Sequence, residues 1–285
     1  MDKEIFKRLL VRSINSHKYD FGHVLVIGGS PGMVGAPFLA ARAALRVGAG
    51  LVTIASSKEV TDKLEKRVEE IMTLTLPPTS ALETIERFIK DRKVSVLIIG
   101  PGLKPDRELP VRELIKKIDL PMIIDGGGLG ALQGRALLQG SALQRLATGK
   151  KAEILTPHLG EFQRFFKEDL PKIREGLKLI AAKFAKERGV TLVLKGHPTY
   201  VACPDGSVYE NTTGNPGLAT AGTGDVLSGI IAGIIAQGIE PKAATKAAVY
   251  LHGLAADLAA NDKTQPSMIA SDVIEYIPTA LKELE

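Results

Sequence analysis

The sequence predicts an α/β fold: a mostly parallel sheet covered by helices on both faces, with an antiparallel hairpin portion. Three observations predict it. Runs such as HVLVI, VSVLII and TLVL are apolar without alternation, as strands buried on both faces are. Glycine turns and helical patterns follow several of them, which is the rhythm of βα units. TYVACPDGSVYEN sets two short segments around Pro204-Asp205-Gly206, the pattern of a hairpin.

In chain order, HVLVIGG (His23 to Gly29) is the first strand, and APFLAARAALRVGAG after it is helical. LVTIAS is the second strand. Glu59 to Glu70 alternates apolar and charged residues at helical spacing. VSVLIIG ends in the turn GPGL, PMIID in GGGLG, EILTP in HLGEF, and TLVL in Lys195-Gly196. Ile173 to Arg188 reads as a helix. Beyond the hairpin the chain is all-helical, over Asp225–Gln237, Lys242–Ala260 and Ser271–Leu284. No linker-like segment and no solenoid repeat divides the 285 residues, so one domain over 1–285 is expected.

Composition narrows the function. The net charge of +5 is spread through the chain, and Lys63 to Arg67 lies among Glu65, Glu69 and Glu70 as a solvated face. There is no tryptophan and no basic-aromatic interleaving, so nucleic-acid binding is not expected. The only cysteine, Cys203, excludes an intrachain disulfide and a cysteine zinc cluster, and it reads as structural. The N-terminus lacks the apolar stretch of a signal peptide, and Val226 to Ala236 is too short to span a bilayer. The expectation is a cytoplasmic protein without membrane contact.

In open α/β sheets ligands bind beyond the carboxyl ends of the strands. GPGL, Asp125, Thr156-Pro157-His158 with Glu161, and Lys195-Gly196 all fall there. The stretch TTGNPGLATAGTGDVLSG is the fifth feature, with five glycines around the single acidic Asp225. AGTGD stands directly before an apolar helix. A helix N-terminus carries unpaired N–H groups and partial positive charge, and glycine lets an anion approach the backbone. Asp225 there has a plain reading, as a cap favoured by the dipole. It also has a chemical one, as general base toward a hydroxyl about to receive a phosphoryl group. HVLVIGGSPGMVG is not a clean G-x-G-x-x-G, and no G-x-x-x-x-G-K-[ST] occurs. Nucleotide binding therefore rests on the C-terminal glycine stretch.

AGTGD before an apolar helix resembles the anion hole and catalytic aspartate of the ribokinase-like superfamily. With SHKYDFGHVLVIGGSPGMVGAPFLAARAALRVGAGLVT, IIGPGL, LTPHLGEF, LVLKGHPT, NTTGN, AVYLHG and ASDVIEYIP, the chain from about Ser16 onward resembles the ADP-dependent NAD(P)H-hydrate dehydratases. The resemblance implies a ribokinase-like three-layer fold and a lyase that repairs damaged nicotinamide cofactors. It would dehydrate the S epimer of NADHX or NADPHX to NAD(P)H, cleaving ADP to AMP and phosphate. The ring hydroxyl would be phosphorylated and phosphate then eliminated with a push from the ring nitrogen. The TPHLGE and AGTGD forms resemble the branch that prefers ADP over ATP. Mg2+ and a monovalent cation are the accompanying ions implied, a homotetramer the assembly, and a separate NAD(P)HX epimerase the working companion.

Carried over by motif, Asp225 is the base and contacts the hydrate, and Gly222, Thr223 and Gly224 form the anion hole, with Gly224 also near AMP. Lys195, Gly196, His197, Pro198 and Thr199 border the nucleotide. Ala36, Gly102 and His158 line the hydrate pocket. Asn211, Asn215 and Glu161 position phosphate and magnesium. Each has a plainer reading: Ala36 starts a helix, Gly102 makes a turn, His158 neighbours a helix cap, Lys195 is a strand-end charge, Glu161 serves its own helix dipole. His252 is expected to pack inside a helix pair. DGGGLGAL departs from the family's Asp-Ala pattern, which leaves bare backbone after Asp125. Two other functions share these features: a kinase of a small vitamin-precursor alcohol, and a nucleotide-sensing module without turnover.

Overall fold

The computed structural model describes residues 4–104, 111–132, 152–166 and 174–285. Among the described residues, nine strands form one sheet in the order β3-β2-β1-β4-β5-β6-β7-β8-β9. They are β1 (His23–Ile27), β2 (Leu51–Ser56), β3 (Met72–Thr75), β4 (Val96–Ile99), β5 (Met122–Ile124), β6 (Glu153–Leu155), β7 (Thr191–Leu194), β8 (Thr199–Ala202) and β9 (Val208–Asn211). Pairing is parallel from β3 through to β7. It is antiparallel at β7–β8 and β8–β9, where the expected hairpin lies.

The apolar strands are explained by cover on both sides. In β1, Val24 and Val26 face one core while Leu25 and Ile27 face the other. The first core is closed by α1 (Glu4–Leu10), α2 (Gly35–Arg46), α3 (Lys58–Leu64), α9 (Thr223–Ala236), α10 (Pro241–Lys263) and α11 (Ala270–Lys282). The second is closed by α4 (Ala81–Arg92), α5 (Val111–Lys117), α7 (Leu159–Phe166) and α8 (Arg174–Arg188), with the short α6 (Gly127–Gly130) beside them. Alternate residues of each strand thus supply two cores, which leaves no polar face to read as alternation.

The structure amends several sequence boundaries. The periodic stretch Glu59 to Glu70 is helical only as far as Leu64. The chain unwinds beyond it because Met72 must pair with Thr53 to add β3, a strand the periodicity does not reveal. Helix α9 begins at Thr223, two residues before Asp225. Helix α10 begins at Pro241, where the Glu240 carboxylate accepts from the N–H groups of Lys242 and Ala243. Of the helix expected over 173–188, Ile173 lies outside the described residues.

Two glycines of the sequence's glycine-rich stretch and its helix serve packing. A Cβ on Gly229 would come within 2.1 Å of the Ala40 carbonyl oxygen, and one on Gly233 within 2.3 Å of Val47. Their bare backbone lets α9 lie directly on α2. This contact sets the N-terminus of α9 beside that of α2.

Candidate active site

The site is built from the carboxyl ends of β5, β6 and β7 and the first turn of α9. Asp125, just past β5, is only 3% exposed. A carboxylate so far from water requires partners. Thr156 and Lys195 donate to its Oδ1 at 2.8 and 3.2 Å, and Ser228 on α9 donates to Oδ2 at 3.0 Å. One side chain therefore ties three strand ends to one helix.

Main-chain pairing continues past the strands. The Lys195 N–H donates to the Pro157 carbonyl at 2.9 Å, which sets His158 beside Lys195. His158 and Glu161 cap α7 reciprocally. The His158 N–H donates to Glu161 Oε2 at 2.9 Å, and the Glu161 N–H donates to His158 Nδ1 at 3.1 Å. Glu161 Oε2 also stands 4.0 Å from the Lys195 ammonium. Burial would lower the Lys195 pKa, but the carboxylates of Asp125, Glu161 and Asp225 outweigh it and hold the ammonium above its ordinary range.

Gly222, with φ of 92°, turns the chain into α9, and among the described residues no side chain caps the helix. The Thr223 N–H makes only a long bond of 3.5 Å to the Thr220 carbonyl. Among the described residues the N–H groups of Gly224 and Asp225 have no backbone acceptor, so they are left for a ligand where the dipole is positive. A Cβ on Gly224 would lie 3.0 Å from the Lys195 ammonium, so the lysine sits directly against this turn. Thr223 turns its hydroxyl inward, donating to the Leu218 and Thr220 carbonyls at 2.8 and 3.0 Å. Asp225 in the same turn has its pKa pushed up to about 7, chiefly by burial, then by the Asp125 charge, with Lys195 opposing and Glu161 adding. A carboxylate poised near neutrality in a turn that attracts anions is equipped to take a proton from a hydroxyl.

A cavity of about 540 Å³ opens next to this turn. Lys195, Gly196, His197 and Thr199 form one wall, with the His197–Pro198 peptide cis. The 211–215 loop, Gly224 and α10 form the others. Pro198 is buried behind the first wall. Asn211 and Asn215 line the cavity while their amide groups hold the loop to α10. The Asn211 amide donates to the carbonyls of Thr213 and Val249, and the Asn215 amide to the Ala256 carbonyl and Asp257. Ala36 and Gly102 lie outside this cavity and next to each other; a Cβ on Gly102 would be 3.2 Å from that of Ala36. Leu39 of α2 reaches Gly222, which brings the Ala36 end of α2 toward the other side of the α9 turn.

Three participants escape sequence reasoning. Ser228 looks like any small residue of an apolar helix, although it follows Asp225 at the i+3 spacing that shares a face. Thr213 carries no signal of its own. His252 is buried between elements as expected, yet it also faces the cavity.

Comparison with known proteins identifies relatives of this chain. The family profile described as NAD(P)H-hydrate dehydratase matches residues 24–279. The bifunctional NAD(P)H-hydrate repair enzyme Nnr of Moorella thermoacetica is 43% identical over 282 residues, covering 96% of this chain and 52% of that protein. The chain therefore spans about half the length of this relative. The ADP-dependent (S)-NAD(P)H-hydrate dehydratase of Neisseria meningitidis serogroup B is 36% identical over 257 residues, covering 87% of this chain and 80% of that one. Among solved structures, the ADP/ATP-dependent NAD(P)H-hydrate dehydratase of Bacillus subtilis, co-crystallized with ATP/Mg2+, matches with a TM-score of 0.80 at 29% identity, covering 100% of this chain and 98% of that one. A ribokinase from Arabidopsis thaliana, at 14% identity and a TM-score of 0.55 over 90% of this chain and 98% of that one, shares the fold alone. The fold is ribokinase-like, and the chain belongs to the NAD(P)H-hydrate dehydratase family.

Proposed function

We propose that the protein removes water from the S epimer of NAD(P)HX, regenerating NAD(P)H while ADP is cleaved to AMP and phosphate. The observation that carries this reading is the Asp225 turn: a carboxylate of pKa about 7 at an uncapped helix N-terminus, beside the Lys195 ammonium and a nucleotide-sized cavity. In the first step the ring hydroxyl oxygen attacks the β-phosphorus of ADP. The new O–P bond forms, the bond to AMP breaks, and the hydroxyl proton passes to Asp225. The N–H groups of Gly222, Thr223 and Gly224 and the Lys195 ammonium offset the charge on the transferring group. In the second step the C–O bond breaks as the ring nitrogen donates its electron pair. Phosphate leaves, and the neighbouring carbon gives a proton to the departing phosphate, restoring the ring double bond.

In this reading the wall from Lys195 to Thr199 holds AMP, with Gly224 at its phosphate end. Ala36 and Gly102 contact the hydrate from the α2 side, and His158, which lines the cavity beside Lys195, contacts it from the β6–β7 side. Asn211 and Asn215 act on the phosphates through the loop they fix. Among the described residues no three acidic, histidine or cysteine side chains form a metal cage. Glu161 would instead offer one carboxylate to Mg2+ while phosphates supply its other oxygens, and such an ion would neutralise phosphate charge. Among the described residues no helix is long and apolar enough to cross a membrane. An NAD(P)HX epimerase, which would supply the S epimer, is the companion this reading implies, and the Moorella relative is named bifunctional.

The test follows absorbance at 340 nm with NADHX, Mg2+ and the protein, adding ADP, ATP or neither. A rise that requires ADP is expected. A rise with ATP alone would keep the reaction and overturn the donor. No rise with either, but phosphorylation of an added alcohol, would turn the reading to a kinase.

A further inference from the structure

We propose that His252 is a nucleotide-binding residue that accepts a hydrogen bond from a ribose hydroxyl of bound ADP. The proposal rests on the nucleotide reading of the cavity. His252 lies on α10, is 8% exposed, and lines the cavity. Its Nε2 is buried with no hydrogen-bond partner among the described residues, which is costly for a polar atom and points to a partner that arrives with the ligand. The ring is held neutral: burial lowers its pKa to about 4, with the Lys195 charge adding and a hydrogen bond to the Thr223 backbone opposing. A neutral imidazole has one N–H and one lone pair. With the N–H on Nδ1, the lone pair falls on Nε2 and is left to accept.

Position selects the ribose. Phosphates belong at the α9 turn, which His252 touches through Thr223. Apolar surface from Leu218, Ala219 and Val249 suits a base. The group between phosphate and base is the sugar, whose hydroxyls are donors. The histidine is also firmly placed. Thr213 donates to the Tyr250 carbonyl at 2.9 Å, and a Cβ on the adjacent Gly253 would lie 2.2 Å from the Thr213 hydroxyl. Loop and helix are in contact at the turn that carries His252.

The test measures dissociation constants for ADP, 2′-deoxy-ADP, 3′-deoxy-ADP and IDP on the wild-type protein and on His252→Phe. The substitution should weaken ADP by about tenfold. That penalty should vanish for the deoxy analogue lacking the donor. An equal penalty for ADP and both deoxy analogues overturns the proposal, as does a penalty lost only with IDP, which would place the contact at the base. Should His252→Phe fail to fold, the wild-type protein labelled with 15N-histidine decides. The His252 ring nitrogens must shift on adding ADP, and less with one deoxy analogue; no shift overturns the proposal. Failure of the wild-type protein to bind ADP at all would remove the nucleotide reading and this proposal together.

Discussion

Replacing Asp225 by asparagine keeps the side chain's shape and removes its charge, so it separates the stability and the chemistry of this position. In the folded protein the carboxyl titrates near 7 against an ordinary 3.8. Below 3.8 it is neutral in both folded and unfolded chains and costs nothing. Between 3.8 and about 7 the folded state binds the extra proton, so stability falls as pH rises, and it levels off above 7. The full interval corresponds to about 4 kcal/mol, an upper figure for the strain of holding the ionised group at this turn. Asp225→Asn should therefore be more stable than wild type at pH 8 by up to that amount, with the gap closing toward pH 4. Urea denaturation at several pH values measures it. Turnover should fall by roughly 10²- to 10⁴-fold, the usual worth of a general base, while ADP binding persists. In the wild-type protein kcat/KM should decline as pH falls below about 7, since the base must be ionised. A variant that turns over at the wild-type rate would sink the base assignment. A stability gap independent of pH would sink the electrostatic argument.

Two further substitutions probe the scaffold. Lys195→Met leaves the buried Asp125 carboxylate without its cation, although Thr156 and Ser228 still donate to it; a loss of about 3 kcal/mol is expected on denaturation. Because Lys195 holds the Asp225 pKa down, the acid limb of any residual activity should move to higher pH, and a limb that moved down would contradict the cluster. Gly229→Ala forces a methyl to 2.1 Å from the Ala40 carbonyl and should cost about 1–3 kcal/mol with loss of activity, because the α9 turn shifts. Gly35→Ala, where a methyl meets open space in a helix, should be neutral or stabilising by up to about 1 kcal/mol; equal melting temperatures for the two variants would refute the packing role of Gly229.

The resemblance to the family was legible because its motifs are local. Phosphate-type chemistry needs glycine, a helix start and a carboxylate within a few residues, so AGTGD carries most of its meaning in sequence. The apolar strands declared a sheet covered on both faces for the same reason, since burial of both edges of the pleat removes alternation. Strand β3 and helix α1 were not legible: the first is four residues long and half-buried, and the second spans seven. The early end of α3 likewise follows from pairing with β2, which no local propensity encodes.

By itself, then, the sequence determined the layered α/β architecture, the presence of a helix beginning close to Asp225 and the order of the strand-end motifs. Tertiary structure decided which of those motifs meet. Asp125, Thr156, Lys195 and Ser228 come from four separate stretches and converge only because β5, β6 and β7 are neighbours and α9 lies across their ends. It also turned His252 from core filler into a wall of the cavity. The physical reason is that burial and electrostatic coupling depend on distance in space. A carboxyl's pKa of about 7 and an unpartnered imidazole nitrogen are properties of neighbours that the chain brings together only when folded.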